Sequence, residues 1–519
     1  MQKLPLGIQT FSKIRETDYV YVDKTGFALD LIKNGTYYFL ARPRRFGKSL
    51  FISTLQALFE GRKELFQGLK AYNHWDWENP YPVIKLSFSG VARTVADMHQ
   101  DIRNLFVENQ ERLGISCDAN DIGGCFKELI RRTCEQYNQR VVVLVDEYDK
   151  LILDNLDQPA RALEAREILK DLYTTLKDSD EFIEFALLTG VSKFAKVSIF
   201  SGLNNLTDIS LQRQYASLCG YTQAELEGSF ARHLVEADME KVREWYNGYS
   251  FMGEKVYNPF DILLFFDNNC IFSNYWFSTG TPTFLIHLIK KQKYFIPQLE
   301  NLRISNALVD SFDIEDIRLE PILFQAGYLT IKGVEQAGTL THYLLGFPNL
   351  ETRYSFNDVI LDYLTGQRSE KAHFQAAVYA ALQHGDIASF KKTLIALFAA
   401  IPYTHYVNNR ISEYEGYFAS VIYACLASLG LDIIAEDVTN KGRIDLTIRL
   451  NQNIYILEFK VDGKGSALEQ IRTRKYQEKY LHEKRTVYLI GIDFNAQEKN
   501  ISGFAWEQVE NRLKYKDAL

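Results

Sequence analysis

The chain has 519 residues, of which 46% are hydrophobic and 24% charged; this is ordinary for a globular protein and long enough for about three domains. Its formal net charge of −7 excludes a protein that coats nucleic acid by overall positive charge, although a local basic groove remains compatible with it. The six cysteines form no close pair of the kind that holds zinc, so we expect buried thiols in a reducing cytoplasm.

No targeting or membrane segment is expected. The first residues carry charge but no apolar core follows it, which argues against a signal peptide. The most apolar run, residues 394–401, is far too short to cross a bilayer.

The first predicted elements are a strand over residues 19–22 and a turn over residues 23–25 that precedes a helix. This segment would either flank a nucleotide base or pack against the core, and packing is slightly favoured. Another strand is expected over residues 81–88, and a long helical region over residues 96–137.

Residues 37–61 read as a strand, a basic turn and an amphipathic helix. This order is typical of a phosphate-binding loop, whose N–H groups and helix N-terminus surround a β-phosphate. Lys48 would bridge the β- and γ-phosphates of ATP, and Ser49 would bind Mg²⁺. The candidate nucleotide-binding residues of the turn are Arg42, Arg44, Arg45, Phe46, Gly47, Lys48 and Ser49.

Arg42 occupies the position of the first glycine in the usual Gly-x4-Gly-Lys-Ser/Thr pattern. A glycine there would permit a positive φ, whereas Arg42 followed by Pro43 favours an extended backbone and adds charge. The alternative is a structural corner that contains Gly-Lys-Ser by chance.

An unbroken apolar run over residues 141–145 ends in Asp146 and Glu147. Such a run is typical of a strand buried on both faces of a parallel sheet, and its carboxyl end is where these sheets bind ligands. Asp146 is therefore suited to hold Mg²⁺, and Glu147 to polarise an attacking water. The alternative is a core strand that enters an acidic turn.

A third buried strand over residues 185–188 leads to Thr189 and Ser192. Both are candidates for contacts to the γ-phosphate or its water, although threonine is also common at strand ends. Lys193 and Arg213 are further candidates, which would supply charge to the transition state within the chain or across a subunit contact.

After residue 220 the pattern becomes helical, with a capping box over residues 222–225. The aromatic segment 245–251 would either stack a base or, more often, form a small core. A helix and a hairpin between residues 318 and 347 would suit a winged-helix lid. The predicted domains are an ATPase core over 1–218, a helical lid over 219–365, a helical connector over 366–402 and an α/β domain over 403–519.

The last domain begins with a helix over 412–429 that carries Glu415, followed by strands over 442–448 and 454–460. Strand alternation places Glu458 and Lys460 on one face. If Asp445 lies beside them, two carboxylates and an ammonium converge on a site for Mg²⁺ or Mn²⁺. The alternative is a surface ion pair beside an unrelated strand-edge charge.

The segment from Asp445 to Glu458-Phe459-Lys460 resembles the PD-(D/E)XK nuclease motif. Glu415 stands at the place of the acidic residue on the first helix, with Glu413 two residues away, and Gln470 at that of a helical glutamine. The segments 21–25, 42–49, 200–205 and 245–249 are similar to the AAA-ATPase-like domain that is fused to such nucleases in bacteria and archaea. The resemblance covers nearly the whole chain, and it includes Arg42.

The resemblance implies a P-loop core, a lid and a PD-(D/E)XK-type α/β domain that cleaves nucleic acid, DNA more than RNA, under the control of ATP. Its expected catalytic residues are Glu147, Glu415, Asp445, Glu458, Lys460 and Gln470, with Mg²⁺ on Asp445 and Glu458. An ATP-switched sensor or scaffold that binds without cleaving remains the alternative. Assembly of several copies would let a neighbour supply an arginine.

Several basic residues near this motif would either neutralise a nucleic-acid backbone or form a solvated helix face. They are Lys464, Arg472, Arg474, Lys475 and Lys479.

Overall fold

The computed structural model describes residues 2–90, 94–193, 205–276, 283–292, 294–306, 314, 316–367, 369–402, 416–463 and 466–509. The chain divides into two compact units, Met1–Trp276 with Arg303–Asn349 and Phe277–Leu302 with Leu350–Leu519. None of the described helices is long and apolar enough to cross a membrane.

The first unit is organised around a sheet of five parallel strands in the order β2-β3-β4-β1-β5. The strands are β1 (Tyr37–Ala41), β2 (Val83–Ser87), β3 (Val141–Asp146), β4 (Ile183–Gly190) and β5 (Thr207–Asp208). Every residue of β1 and β3 is buried, which accounts for their unbroken apolar runs. The predicted parallel α/β core is confirmed, and β4 lies between β1 and β3.

Helices cover this sheet and extend beyond it. The predicted helical region 96–137 is two helices, because Gly114 ends the first in a left-handed conformation with φ 68° and Asp121 caps the second. The capping box of Thr222 and Glu225 is confirmed. The helices of this unit are α1 (Phe11–Glu16), α2 (Thr25–Asn34), α3 (Lys48–Phe59), α4 (Val95–Leu113), α5 (Ile122–Tyr137), α6 (Lys150–Leu153), α7 (Pro159–Asp178), α8 (Gln223–Ser229), α9 (Met239–Tyr246), α10 (Pro259–Asp267) and α12 (Leu319–Ala326).

The strand predicted over residues 19–22 is wrong, since this segment makes only an isolated bridge between Lys3 and Tyr19. Its side chains bind the helices instead. The Tyr21 hydroxyl lies 3.2 Å from the Thr54 hydroxyl, and the Asp23 carboxylate accepts the Thr25 amide at 2.8 Å. These contacts fit the packing interpretation of the segment.

The predicted helix and hairpin are present after residue 318. Helix α12 is followed by β7 (Thr330–Ala337) and β8 (Leu340–Gly346), which pair antiparallel, and β6 (Leu302–Ser305) flanks β8. A winged-helix role stays a prediction. The aromatic segment 245–251 belongs to the core, because Tyr246 and Tyr249 are 0% and 1% exposed.

The second unit has a mixed sheet in the order β13-β12-β11-β10-β9, whose β11 and β12 are parallel. The strands are β9 (Asp432–Thr439), β10 (Gly442–Leu450), β11 (Asn453–Val461), β12 (Thr486–Asn495) and β13 (Asn500–Val509). The helices are α11 (Thr283–Gln292), α13 (Leu350–Thr365), α14 (Lys371–His384), α15 (Ile387–Ala400), α16 (Tyr417–Ala427) and α17 (Ala467–Arg474). The predicted strands correspond to β10 and β11, and the C-terminal α/β domain is confirmed.

Candidate functional sites

The loop between β1 and α3 holds Lys48 at the start of the helix. Gly47 precedes it in a left-handed conformation with φ 96°, which favours glycine. The buried Lys48 ammonium donates to the carbonyl oxygens of Arg42 at 2.9 Å and Pro43 at 3.0 Å. Burial lowers the pKa of Lys48, and the Asp146 charge opposes that shift. The backbone of the loop thus holds the Lys48 ammonium through two carbonyl oxygens.

Arg42 lies inside the unit and does not line the cleft beside Lys48. Its side chain is 1% exposed, and its guanidinium donates to the carbonyls of Ser210 at 2.5 Å and Tyr215 at 3.1 Å. The same group lies 4.0 Å from the centroid of the Phe251 ring. The positive φ angles of this loop lie at Arg45 and Gly47, so position 42 does not need a glycine. The arginine there instead binds buried carbonyl groups.

Restoring the usual glycine, Arg42→Gly, is expected to destabilise the protein. The change would strip buried carbonyls of their donor, and we expect the free energy of unfolding to fall by about 3 kcal/mol. Denaturant unfolding followed by circular dichroism would measure this. The exposed neighbour Arg44 supplies the control, since Arg44→Ala should leave the unfolding midpoint nearly unchanged. An Arg42→Gly variant as stable as the wild type would contradict the structural role.

Asp146, at the end of β3, is 6% exposed and accepts a hydrogen bond from the Thr189 hydroxyl at 2.7 Å. Thr189 is the second-last residue of β4, where it pairs with Leu40 of β1. The strand order therefore puts Thr189 between the Lys48 loop and the acidic end of β3. Glu147 follows with φ 54° and lines the cleft, a strained backbone that is often found at functional sites.

Asp149 is a buried carboxylate in this cleft that the sequence prediction missed. Its oxygens accept the amides of Val191 at 3.0 Å and Ser192 at 2.6 Å. Burial raises its pKa to about 6, although the Ser192 amide and the Lys48 charge oppose this rise. Because Asp149 follows Asp146 by three residues, its place in the acidic turn was the signal available in the sequence.

The remaining loop candidates divide into two groups. Arg44, Arg45, Gly47 and Ser49 line the cleft. Phe46 is 1% exposed and packs edge-on against Tyr249, so it anchors the loop to the core and does not contact the cleft.

The two candidate transition-state cations differ in environment. The ammonium of Lys193 is buried and lies 2.9 Å from Asp208 Oδ2, while Arg213 is exposed on a short 3₁₀ helix. Because it is exposed, the Arg213 guanidinium can reach a neighbouring copy of the chain, whereas the buried Lys193 ammonium cannot.

In the second unit, Asp445 sits where β10 and β11 separate. The antiparallel register runs from the Leu446–Leu457 pair to the Leu450–Asn453 pair. Beyond it, the amide of Phe459 donates to the Asp445 carboxylate at 2.8 Å. The carboxylate thus takes the place of a ladder carbonyl, which ties Asp445 to the strand that carries Glu458.

Glu458 is 2% exposed, and its Oε1 accepts a hydrogen bond from the side-chain amide of Gln470 on α17. Its Oε2 is buried and has no hydrogen-bond partner within the described part of the chain. Burial, assisted by the Asp445 charge, raises the pKa of Glu458 to about 8. Burial also raises the pKa of Asp445 to about 6. Gln470, which the resemblance names as a catalytic residue, contacts Glu458, and its catalytic role stays a prediction.

Lys460 is half-buried, and its positive charge favours the ionised form of Glu458. The structure therefore brings together Asp445, Glu458, Lys460 and Gln470. Glu415 and its neighbour Glu413 lie outside the described residues. A donor set of hard carboxylate oxygens with one buried oxygen unsatisfied fits a divalent metal ion. Among the described residues, however, no three carboxylates, histidines or cysteines are close enough to hold one alone.

Glu436 on β9 is a neighbour of this site that the sequence prediction missed. It has φ 54°, an unusual backbone for a glutamate within a strand, and its negative charge raises the pKa of both Asp445 and Glu458. Arg443 lies 2.5 Å from Glu436 Oε2. Glu436 was missed because β9 was not predicted, although buried Ile433, Ala435 and Asp437 alternate along it with period two.

The basic residues near the motif have partners within the protein. Arg472 lies 2.6 Å from Glu507, Arg474 donates to the Lys441 carbonyl at 3.0 Å, and Lys479 binds Asp437. Lys475, whose side chain is 60% exposed, lies 4.0 Å from Glu478. Lys464 is outside the described residues. These pairings fit a solvated, ion-paired surface better than a row of free cations.

A parallel sheet with a Gly-Lys-Ser loop defines a P-loop-like nucleotide-binding core, and the β10–β11 pair with α17 is the arrangement of a PD-(D/E)XK site. Family models agree: residues 5–200 match "Predicted AAA-ATPase" and residues 413–504 match the PD-(D/E)XK nuclease superfamily. The chain belongs to the family of AAA-ATPase-like proteins with a C-terminal PD-(D/E)XK nuclease superfamily domain.

A relative from Azotobacter chroococcum mcd 1, "Uncharacterized protein in vnfD 5'region", is 47% identical over 513 residues, which cover 98% of this chain and 99% of the relative. No solved structure matches the chain.

Proposed function

We propose that this protein is a divalent-metal-dependent nuclease whose cleavage of phosphodiester bonds is governed by ATP binding or hydrolysis. DNA is the more suitable substrate by family analogy. The observation that carries the proposal is the buried Glu458 oxygen without a partner, held beside Asp445 and Lys460.

At the proposed nuclease site, Asp445 and Glu458 hold Mg²⁺ or Mn²⁺, and Glu415 completes or orients the donor set. A bound ion would supply positive charge to the scissile phosphate and acidify a bound water. Gln470 fixes the rotamer of Glu458 through its hydrogen bond. Lys460 positions the attacking water and stabilises the negative charge that develops on the phosphorus oxygens.

At the proposed ATPase site, Lys48 neutralises the β- and γ-phosphates, and Ser49 and Asp146 hold Mg²⁺. Glu147 orients the attacking water. Thr189 contacts the γ-phosphate or its attacking water. Its hydroxyl donates to Asp146, so it lies beside the proposed Mg²⁺ ligand. We further propose that the protein acts as a homo-oligomer in which the exposed Arg213 serves a neighbour's site.

The direct experiment is a cleavage panel on the full-length protein. Supercoiled plasmid, linear duplex, single-stranded DNA and RNA would be incubated with Mg²⁺ or Mn²⁺, with and without ATP. We expect DNA cleavage that requires the metal and changes in rate with ATP. A complete lack of cleavage with every metal and substrate would exclude the nuclease.

The second candidate function is an ATP-switched sensor or scaffold that binds without cleaving. Two observations favour it: no complete metal-binding group exists among the described residues, and the basic side chains near the site are ion-paired. It predicts no cleavage but an ATP-dependent change in oligomeric state. Light scattering with and without ATP, run beside the cleavage panel, distinguishes the two functions.

A pH dependence of stability follows from Glu458. In the metal-free protein its pKa is raised from 4.5 to about 8, so the folded state favours the protonated form. This contribution is fully present below pH 4.5 and is lost as pH rises through about 8. Glu458→Gln imitates the protonated form, and its melting temperature relative to the wild type should therefore rise with pH across this window.

Thermal melts in EDTA across this window would measure the difference between the two proteins. The exposed Glu498 provides the control, since Glu498→Gln should change little with pH. Adding Mn²⁺ at the alkaline end should stabilise the wild type and not Glu458→Gln. A temperature difference that stays constant with pH would contradict the protonated state assigned to Glu458.

A further inference from the structure

A cavity of the second unit opens beside Asp445, and most of its wall is unsuited to holding a metal ion. Its volume is about 460 Å³, within the range of about 300–1,000 Å³ that is typical of small-molecule sites. Asp445, Glu436 and Arg443 form a polar edge. The rest of the wall is mostly apolar and includes Phe295, Pro297, Ala419, Tyr423, Phe459 and Val461.

The part of the wall that carries Phe295 is anchored to α16 on both sides of this residue pair. The Ile296 amide donates to the Ser420 hydroxyl at 3.4 Å, and the Glu300 carboxylate accepts a hydrogen bond from the Tyr423 hydroxyl at 2.6 Å. Ile296 is 0% exposed. The aromatic wall is therefore a fixed part of the second unit, although it comes from a segment distant in sequence from β10 and β11.

The cavity leaves apolar surface in contact with water. Phe295, Ala419, Phe459 and Val461 are only half-buried, so a ligand that covers them gains free energy. The two phenylalanines offer flat rings, on which a nucleic-acid base can stack. In a duplex each base is already covered by its neighbours, so only an unstacked base can enter.

The charges around the cavity do not favour a duplex that is bound through its phosphates. The Arg443 guanidinium on the polar edge lies 2.5 Å from Glu436 Oε2, and the Asp445 carboxylate adds a second acidic group. Phosphate contacts need cations that are free to replace counterions. Because the Arg443 charge is already paired, we expect contacts to bases to supply most of the affinity at this cavity.

We infer that this cavity binds an unstacked base of a single strand next to the scissile phosphate, with Phe295 and Phe459 in contact with the base. The inference rests on the proposed action on nucleic acid and specifies its substrate class. That class is a single strand, or a duplex with an unpaired tail, and not a continuous duplex. Because every base has a face that stacks on an aromatic ring, sequence preference should be weak.

The first test is fluorescence anisotropy of labelled oligonucleotides with the full-length protein in EDTA, which blocks the proposed cleavage. The ligands are an oligothymidine, an oligomer of the same length without bases, and a blunt duplex. Wild type should bind oligothymidine at least about tenfold more tightly than either of the others, because stacking on the bases adds affinity. The oligomer without bases carries the same phosphates, so it isolates what the bases contribute.

Two variants change the cavity in opposite directions. Phe295→Ala removes a ring from the wall, and Ala419→Leu fills the cavity from the half-buried face of α16 with little risk to folding. Each should weaken oligothymidine binding by about tenfold, and leave binding of the oligomer without bases and of Mn²⁺ unchanged. Tyr379→Ala is the matched control, because Tyr379 is an aromatic residue of the same unit that is 38% exposed on α14 and does not line the cavity.

The second test compares cleavage of the single strand and of the blunt duplex in Mn²⁺. We expect kcat/KM to be at least about tenfold higher for the single strand. Phe295→Ala should raise the KM for the single strand and leave kcat nearly unchanged, since it removes binding that is the same in the ground state and the transition state.

The outcomes separate this inference from the nuclease proposal. If wild type binds oligothymidine and the oligomer without bases equally well, or if neither Phe295→Ala nor Ala419→Leu discriminates between them, the base site is overturned while any metal-dependent cleavage stands. A duplex cleaved as fast as the single strand also overturns it. If no substrate is cleaved but oligothymidine binding still depends on Phe295, the nuclease proposal fails and the base site is supported.

Discussion

Asp445→Asn is expected to reduce metal-dependent cleavage by about 1,000-fold or more, while ATP binding is unchanged. Asparagine keeps the size of the side chain and can still accept the Phe459 amide, which donates to Asp445 at 2.8 Å. It removes the charge that a divalent ion needs, so the fold should survive the change while the metal site does not. Removing a group that holds transition-state charge has effects of this order.

The measurement is the initial rate of plasmid or oligonucleotide cleavage in Mn²⁺ and Mg²⁺, beside calorimetry of Mn²⁺ and ATP binding. Asp432→Asn is the matched control, because Asp432 lies on β9 of the same sheet with its side chain 62% exposed. Lys460→Ala should lose cleavage as Asp445→Asn does but should still bind Mn²⁺. Cleavage retained in both Asp445→Asn and Lys460→Ala would refute the assigned site.

Those parts of the fold whose pattern is local and continuous were predicted well. The apolar runs of β1, β3 and β4 predict strands that are buried on both faces. The polar residues that follow these runs must then lie at the carboxyl ends of the strands. Asp146 and Thr189 do meet there, with 2.7 Å between carboxylate and hydroxyl. Strand alternation placed Glu458 and Lys460 on one face of their strand, and the Lys460 charge does act on Glu458.

The sequence did not predict which groups the long side chains contact. Arg42 reads as a cation in a phosphate-binding loop, yet its guanidinium turns inward to the carbonyls of residues that follow it by more than 160 positions. For Lys479 the sequence left open a contact to a nucleic-acid backbone or a place on a solvated helix face, and the side chain binds Asp437. Such contacts depend on tertiary neighbours, which periodicity does not encode.

The same limit explains the missed carboxylates. Asp149 lies in an acidic turn three residues after Asp146, and Glu436 lies on the edge strand β9, but these local signals do not by themselves show that either carboxylate belongs to a site. The burial of Asp149 near Lys48, and the nearness of the half-buried Glu436 to Asp445, become visible only in the folded chain. The sequence thus predicts which residue types a site needs more readily than the complete set that surrounds it.

Lys48→Ala is expected to weaken ATP binding by about 100-fold or more and to abolish any effect of ATP on cleavage. Lys48 is the buried cation at the start of α3, and two charge-assisted contacts to phosphate oxygens would be lost. Metal-dependent cleavage without ATP should persist, because Asp445 and Glu458 belong to a separate sheet.

Calorimetry of ATP binding and cleavage rates across ATP concentrations would measure both effects in the same preparation. Lys33→Ala is the matched control, since Lys33 is exposed at the end of α2 and does not line the cleft. Circular dichroism must establish that Lys48→Ala is folded, because the change removes a buried cation that interacts with Asp146 and Asp149. If wild type and Lys48→Ala bind ATP equally, the amino-terminal unit does not hold a triphosphate at this loop, and control of the nuclease by ATP loses its physical basis.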